Sequence, residues 1–277
     1  MKYRTLALVA GMLVAHCSLA AGTHTLTKKW ETEPQLKIPE SVLFDSKANI
    51  LYVSNVDGEP WVADDKGSIA KVSTTGKIIA AEWVKGLRAP KGLGQFEGRL
   101  YAADLDEVAV IDIGKATIVD HIKIPGAKGL NDIAISNTGT VYVSDSLTQK
   151  LHAIKNGHPE TLLEGLGGPN GLFTRDGALY LLDDKALYQV ENEHTLKKLV
   201  DGFEDNADGL ERVNATDFLV SCWQGIIYYV SGQGTPQVLL DTRKEKINSA
   251  DIGYDPQHHI VFVPTFFKNS VVAYELK

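Results

Sequence analysis

The stretch Gly129-Leu130-Asn131-Asp132-Ile133-Ala134-Ile135, its turn at Asn137-Thr138-Gly139 and the following Val141-Tyr142-Val143-Ser144-Asp145 decide the fold, because the pattern returns along the chain. An apolar run, a polar turn and a second β-branched or aromatic run form a strand-turn-strand signature. The next copy is Gly168-Pro169-Asn170-Gly171-Leu172-Phe173, a turn at Arg175-Asp176-Gly177, and Leu179-Tyr180-Leu181-Leu182-Asp183. Toward the N-terminus stand Ala89-Pro90-Lys91-Gly92-Leu93 with Arg99-Leu100-Tyr101-Ala102-Ala103-Asp104. Before them come Pro39-Glu40-Ser41-Val42-Leu43-Phe44-Asp45 with Ile50-Leu51-Tyr52-Val53-Ser54. Toward the C-terminus stand Ala207-Asp208-Gly209-Leu210 with Asp217-Phe218-Leu219-Val220-Ser221, then Ala250-Asp251-Ile252-Gly253-Tyr254 with Ile260-Val261-Phe262-Val263.

The spacing is about 40 residues, long enough for four short strands per unit. Further strand-like runs follow each pair, as at 149–154 and 161–166, and helical periodicity is nowhere sustained. A four-stranded sheet repeated six times predicts an all-β fold, a six-bladed β-propeller of antiparallel blades formed by residues 22–277. The unit is too long for a β-helix coil and the copies too regular for a sandwich. The last unit stops at Lys277 after its third strand, while a strand-like segment at 24–33 precedes the first unit. That segment is expected to supply the missing strand and close the ring.

Residues 1–21 carry an export signal: Lys2 and Arg4 precede an apolar core, and Ser18-Leu19-Ala20 places small residues two apart. The expected location is periplasmic or secreted. Lipid attachment at Cys17 is disfavoured by His16, where a small residue is wanted, and cleavage leaves Cys222 as the sole cysteine. The 277 residues carry a net charge of −7 with no basic cluster, which argues against nucleic-acid or anionic-membrane partners. No later apolar run approaches the length of a transmembrane segment, so the expected partner is a small-molecule substrate or ligand.

The first strand of each blade lines the central channel, so the residue opening each unit should face its counterparts. These openers are Glu40, Lys91, Asn131, Asn170, Asp208 and Asp251. Five offer oxygen, the chemistry that a hard divalent cation such as Ca²⁺ takes. Soft-metal spacing is missing, as are phosphate-loop, dinucleotide and serine-hydrolase motifs. The run from Glu204 resembles an EF-hand start, but its twelfth position is Ala215 rather than glutamate. Trp223 and Phe266-Phe267 fall in loops of units five and six, where they either wall a pocket or pack a blade.

The order Pro39-Glu40 with Phe44-Asp45, Leu130-Asn131-Asp132, Pro169-Asn170-Gly171-Leu172 and Ala207-Asp208-Gly209-Leu210 resembles the SMP-30/gluconolactonase/LRE-like family of six-bladed propellers. The resemblance implies a lactone hydrolase with one divalent cation, often calcium, in the channel. It implies Glu40, Asn170 and Asp208 as metal ligands, Asn131 as ligand or substrate-contacting amide, and Asp208 as the catalytic base. Lys91 departs from the family pattern. It could pair with Glu40 or Asp208 in place of a cation, bind a substrate carboxylate or oxyanion, or reach water at the channel mouth. Asp251 and Lys91 complete the expected substrate-binding set. The alternative is a non-catalytic propeller, like NHL-repeat proteins, binding a small molecule or another exported protein.

Overall fold

In a computed structural model, residues 23–277 apart from 193 and 233 are described. The export signal read over 1–21 lies outside them. The described strands are numbered in chain order and form six four-stranded antiparallel sheets. Ahead of the first blade runs β1 (Leu26–Glu31). Blade 1 comprises β2 (Pro39–Asp45), β3 (Ile50–Asn55), β4 (Gly67–Ser73) and β5 (Ile78–Leu87). Blade 2 comprises β6 (Leu93–Phe96), β7 (Arg99–Asp104), β8 (Glu107–Asp112) and β9 (Thr117–Lys123). Blade 3 comprises β10 (Leu130–Ile135), β11 (Val141–Asp145), β12 (Lys150–Lys155) and β13 (His158–Glu164). Blade 4 comprises β14 (Pro169–Arg175), β15 (Ala178–Asp183), β16 (Ala186–Glu191) and β17 (Thr195–Asp201). Blade 5 comprises β18 (Ala207–Arg212), β19 (Phe218–Cys222), β20 (Ile226–Val230) and β21 (Gln237–Asp241). Blade 6 holds β22 (Gly253–Asp255), β23 (Ile260–Pro264) and β24 (Val271–Leu276), with β1 as its outer strand.

The aspartate that ends the second strand of blades 2, 3 and 4 has a structural task. Asp104 accepts the backbone N–H groups of Arg88 (2.9 Å) and Ala89 (2.7 Å). Asp145 does the same for Lys128 and Gly129, both 3.0 Å, and Asp183 for Gly167 (3.1 Å) and Gly168 (2.7 Å). Each carboxylate thereby ties down the segment entering its own blade, satisfying N–H groups that no ladder reaches. Apolar faces then pack blade against blade. Leu93, Leu100 and Ala102 of blade 2 meet Tyr52, Ile69 and Val84 of blade 1 in one buried cluster.

Ring closure follows the sequence expectation, with a shorter strand. β1 pairs antiparallel with β24, from Leu26 opposite Leu276 to Glu31 opposite Val272. Side chains of β1 and of the segment leading into it fasten the strand to three blades. Trp30 packs on Phe262 and donates from Nε1 to the Thr74 carbonyl of blade 1 at 3.0 Å. His24 stacks on Tyr229 of blade 5 at 3.7 Å, while its backbone exchanges hydrogen bonds with the Gln237 amide at 3.2 and 2.7 Å.

Candidate functional site

The opener residues are presented by bulges. Between the first two strands of blades 1, 3, 4 and 5 the register slips at the opener, as between Leu130 and Ile133 or Ala207 and Leu210. Such a slip re-aims one side chain out of the pleat. A serine on the second strand receives the N–H that follows the opener: Ser41 on Ser54, Asp132 on Ser144 and Gly209 on Ser221, each at 2.9 Å.

Glu40, Lys91, Asn131, Asn170 and Asp208 form the floor of a cup of about 460 Å³ at one channel mouth. The sixth position differs from the sequence expectation. Asp251 forms a parallel bridge with Ser41, one residue further down the channel, so Ala250 occupies the opener's place. This second tier reads Ser41, Gly92, Asp132, Gly171, Gly209 and Asp251. Glycine is needed there: a Cβ on Gly209 would come within 2.5 Å of the Ile252 nitrogen and 2.9 Å of Asp251 Cα. On Gly171 it would collide with the Asp208 main-chain oxygen. Asp251 and Asp132 line a second cavity of about 200 Å³ that the cup does not include. Asp251 accepts Ser41 Oγ at 2.5 Å, and Asp132 accepts the N–H groups of Leu172 (2.6 Å) and Ile133 (2.7 Å).

The cup floor is less satisfied. Asn170 donates from Nδ2 to Asp208 Oδ1 at 2.8 Å, and Asn131 from Nδ2 to Ser146 Oγ at 2.9 Å. Glu40 Oε2 and Asn170 Oδ1 are buried acceptors without a hydrogen-bond partner. Burial pushes the Asp208 carboxyl up to about 7, against the lowering effects of the Asn170 hydrogen bond and the Lys91 charge. Burial also drives Glu40 well above the usual carboxylate range, Lys91 opposing and Asp208 and Asp251 reinforcing it. The Lys91 ammonium is pushed down by burial, Glu40 and Asp208 pulling the other way.

Lys91 departs from two of its expected paths. It is only 2% exposed, so it does not reach water at the mouth. Nor does it form an ion pair with Glu40 or Asp208: its Nζ donates to the Pro60 carbonyl at 2.7 Å and lies 4.2 Å from the centre of the Trp61 ring. Pro60 and Trp61 belong to the connection 56–66, eleven residues between β3 and β4, against two at the matching place in blade 2. This loop, which no sequence motif marks, supplies Glu59, Pro60 and Trp61 to the cup. The signal was its length, since most connections run to about 2–6 residues.

Trp223, Phe266 and Phe267 complete the wall. Their rings meet edge to face, Trp223 lying 5.5 Å from Phe266 and 6.1 Å from Phe267, with 4.8 Å between the phenylalanines. Phe266 has φ 50°, a left-handed conformation costly for a bulky residue. The turn is braced on both sides. Thr265 Oγ1 accepts the Ser270 N–H (3.1 Å), Asn269 Oδ1 accepts Ile38 N–H (3.0 Å), and Glu31 of β1 accepts Ser270 Oγ and the Lys268 ammonium, both 2.8 Å.

No three His, Cys, Asp or Glu side chains converge as a metal cage among the described residues. Beside the Lys91 ammonium, the floor offers two carboxylates and two amides. With two acceptors left orphaned, that set fits a hard cation that takes amide as well as carboxylate oxygen.

The sequence matches no protein-family model and no curated protein. Solved structures match the fold. A streptogramin B lyase is similar at TM-score 0.67 and 13% identity, over 92% of this chain and 98% of that one. A catalytically inactive histidine-to-alanine variant of virginiamycin B lyase from Staphylococcus aureus, with quinupristin, matches at 0.65 and 11%, over 91% and 99%. The extracellular domain of a protein assigned as a hybrid two-component system in B. thetaiotaomicron matches at 0.57 and 15%, over 86% of this chain and 34% of that one. These likenesses define a six-bladed propeller. At such identities they define the fold alone.

Proposed function

We propose that this chain is an exported, divalent-cation-dependent hydrolase of a lactone or related ester, of the SMP-30/gluconolactonase type. The carrying observation is the pair of orphaned acceptors, Glu40 Oε2 and Asn170 Oδ1, beside the Asp208 carboxyl. An unpaired buried acceptor costs about 1–3 kcal/mol, so a floor that keeps two of them is suited to an incoming positive charge. Glu40, Asn170 and Asp208, with Asn131 beside them, would hold the ion, probe metal calcium. When bound, the cation supplies Lewis-acid polarisation of the substrate carbonyl. Asn170 fixes one Asp208 oxygen, leaving the other to take a proton from attacking water. Lys91 keeps N–H groups beyond the one on Pro60 and offers them to the developing oxyanion.

The lyase likeness supports a small-molecule site in this fold without extending its chemistry. The lyase variant that lacks a histidine is catalytically inactive, and among the described residues no histidine lines this cup. A second reading, a binding propeller, draws on Lys91 as a built-in cation in the floor.

Calorimetric calcium titration separates the two. The hydrolase reading expects one site in the wild type, weakened at least about tenfold by Glu40→Gln, since a charged ligand is lost. A wild type that binds no divalent ion, with affinity appearing in Lys91→Ala, would make the lysine the resident cation and overturn the hydrolase.

A further inference from the structure

We propose that the cup selects an ester or lactone built on a flat apolar ring, in preference to a polyhydroxylated sugar lactone. The reacting carbonyl rests on the hydrolase reading; ring recognition stands independently of it. A sugar needs hydrogen-bonding partners around its whole ring, because each buried hydroxyl left unpaired loses its bonds to water without replacement. Here the polar groups lie in one tier, the floor. Above it the lining is Pro60, Trp61, Trp223, Phe266 and Phe267, with Glu59 the only polar residue there among those described.

Three of these rings keep apolar surface uncovered. Trp61 and Trp223 are each 39% exposed and Phe267 61%. Large aromatic faces left open around a concave polar floor mark a ligand site rather than core packing. The rings are also fixed in place before any ligand arrives. The Trp223, Phe266 and Phe267 triad is locked edge to face, and its turn is held by Glu31, Thr265 and Asn269. On the other part of the rim, Trp61 is held by the Lys91 ammonium against its ring. Stacking on walls that are already ordered avoids most of the entropic cost of binding. The volume of about 460 Å³ admits a fused bicyclic ligand.

Two lactams that resist hydrolysis serve as probes on the full chain with calcium present: 3,4-dihydroquinolin-2-one, flat and aromatic, and gluconolactam, polyhydroxylated. Calorimetry gives the affinities and tryptophan quenching reports contact with the wall. The aromatic lactam should bind at least about tenfold more tightly than the sugar lactam, and Trp61→Ala or Phe267→Ala should each weaken it about five- to tenfold. Trp61→Phe should restore binding to within about threefold, because it keeps a ring. Equal or tighter binding of gluconolactam, or unchanged affinity in Trp61→Ala, overturns the proposal. Turnover of 3,4-dihydrocoumarin and glucono-δ-lactone is measured separately. Aromatic lactam binding with neither lactone cleaved under any divalent ion sinks the hydrolase and leaves the ring-binding cup standing; cleavage of the sugar lactone without aromatic lactam binding does the reverse.

Discussion

Replacing Trp30 with alanine attacks the ring closure at its most heavily loaded point. The indole packs against Phe262 beneath the β1–β24 pairing, and its Nε1 carries the hydrogen bond to Thr74 that links the closing strand to blade 1. It also covers Gly76, where a Cβ would come within 2.7 Å of the indole. Removing a buried aromatic costs about 3–5 kcal/mol, and Trp30 is only half-buried, so the lower end applies: about 3 kcal/mol, including about 1 for the hydrogen bond. For a chain of this size each kcal/mol lowers Tm by about 2–4 °C, so Trp30→Ala should melt about 6–12 °C below wild type. Trp30→Phe keeps most ring contacts and loses only the donor, so a drop of about 2–4 °C is expected. Calorimetric melting at two scan rates measures both and checks reversibility. A Trp30→Ala variant melting within 2 °C of wild type, on this ~2–4 °C per kcal/mol scale, would refute the claim that this contact secures the ring.

Four further outcomes are expected. Gly209→Ala places a methyl against the Ile252 nitrogen and Asp251 Cα, so chemical denaturation should show a loss of about 2–3 kcal/mol; an unchanged midpoint would mean the channel waist has room to spare. Burial tends to raise the Glu31 carboxyl, but hydrogen bonds from Lys268, Lys28 and Ser270 outweigh it and hold the group at about 2. Its contribution, about 1 kcal/mol after screening, is therefore present above the ordinary value near 4.5 and lost as pH falls toward 2, so the stability gap between wild type and Glu31→Gln should close over that window. Asp208→Asn should lower kcat by more than it weakens calcium binding, read from saturation kinetics against calorimetry; equal losses would remove its role as base. Intact-mass measurement of exported protein should find a chain beginning near Ala21 or Gly22, and retention of Met1 would contradict the leader.

The blades were legible because the strand-turn-strand unit repeats at the chain's own period, with a closing aspartate in blades 2, 3 and 4, and the missing last strand was legible by subtraction. Five openers were legible for the same reason. The sixth was misplaced by one residue because Ala250-Asp251 mimics Ala207-Asp208 in composition, whereas register is set by bulges and by the glycines that let neighbouring first strands touch. Gly209 lies against Asp251, which fixes the two in the same tier. The Trp61 loop was illegible for a different reason. It has no periodicity and lies 30 positions from Lys91 in sequence, so only folding shows that the two meet. Burial explains the remainder: a lysine opener suggests a solvent-seeking charge until a carbonyl and an indole are found holding it inside.

The pairing of β1 with β24 also settles which way the cup looks relative to the chain's attachments. β24 departs from the Phe266 turn at the cup and runs to the opposite face, where Leu276 donates to the His259 carbonyl in the far-side hairpin. β1 runs the other way, so Thr25 and Lys277 sit side by side there, exchanging backbone hydrogen bonds of 2.9 and 3.0 Å. Thr25 and Lys277 therefore share the face away from the aromatic mouth, so a label attached at Lys277 leaves the turns that carry Trp223 and Phe266 uncrossed.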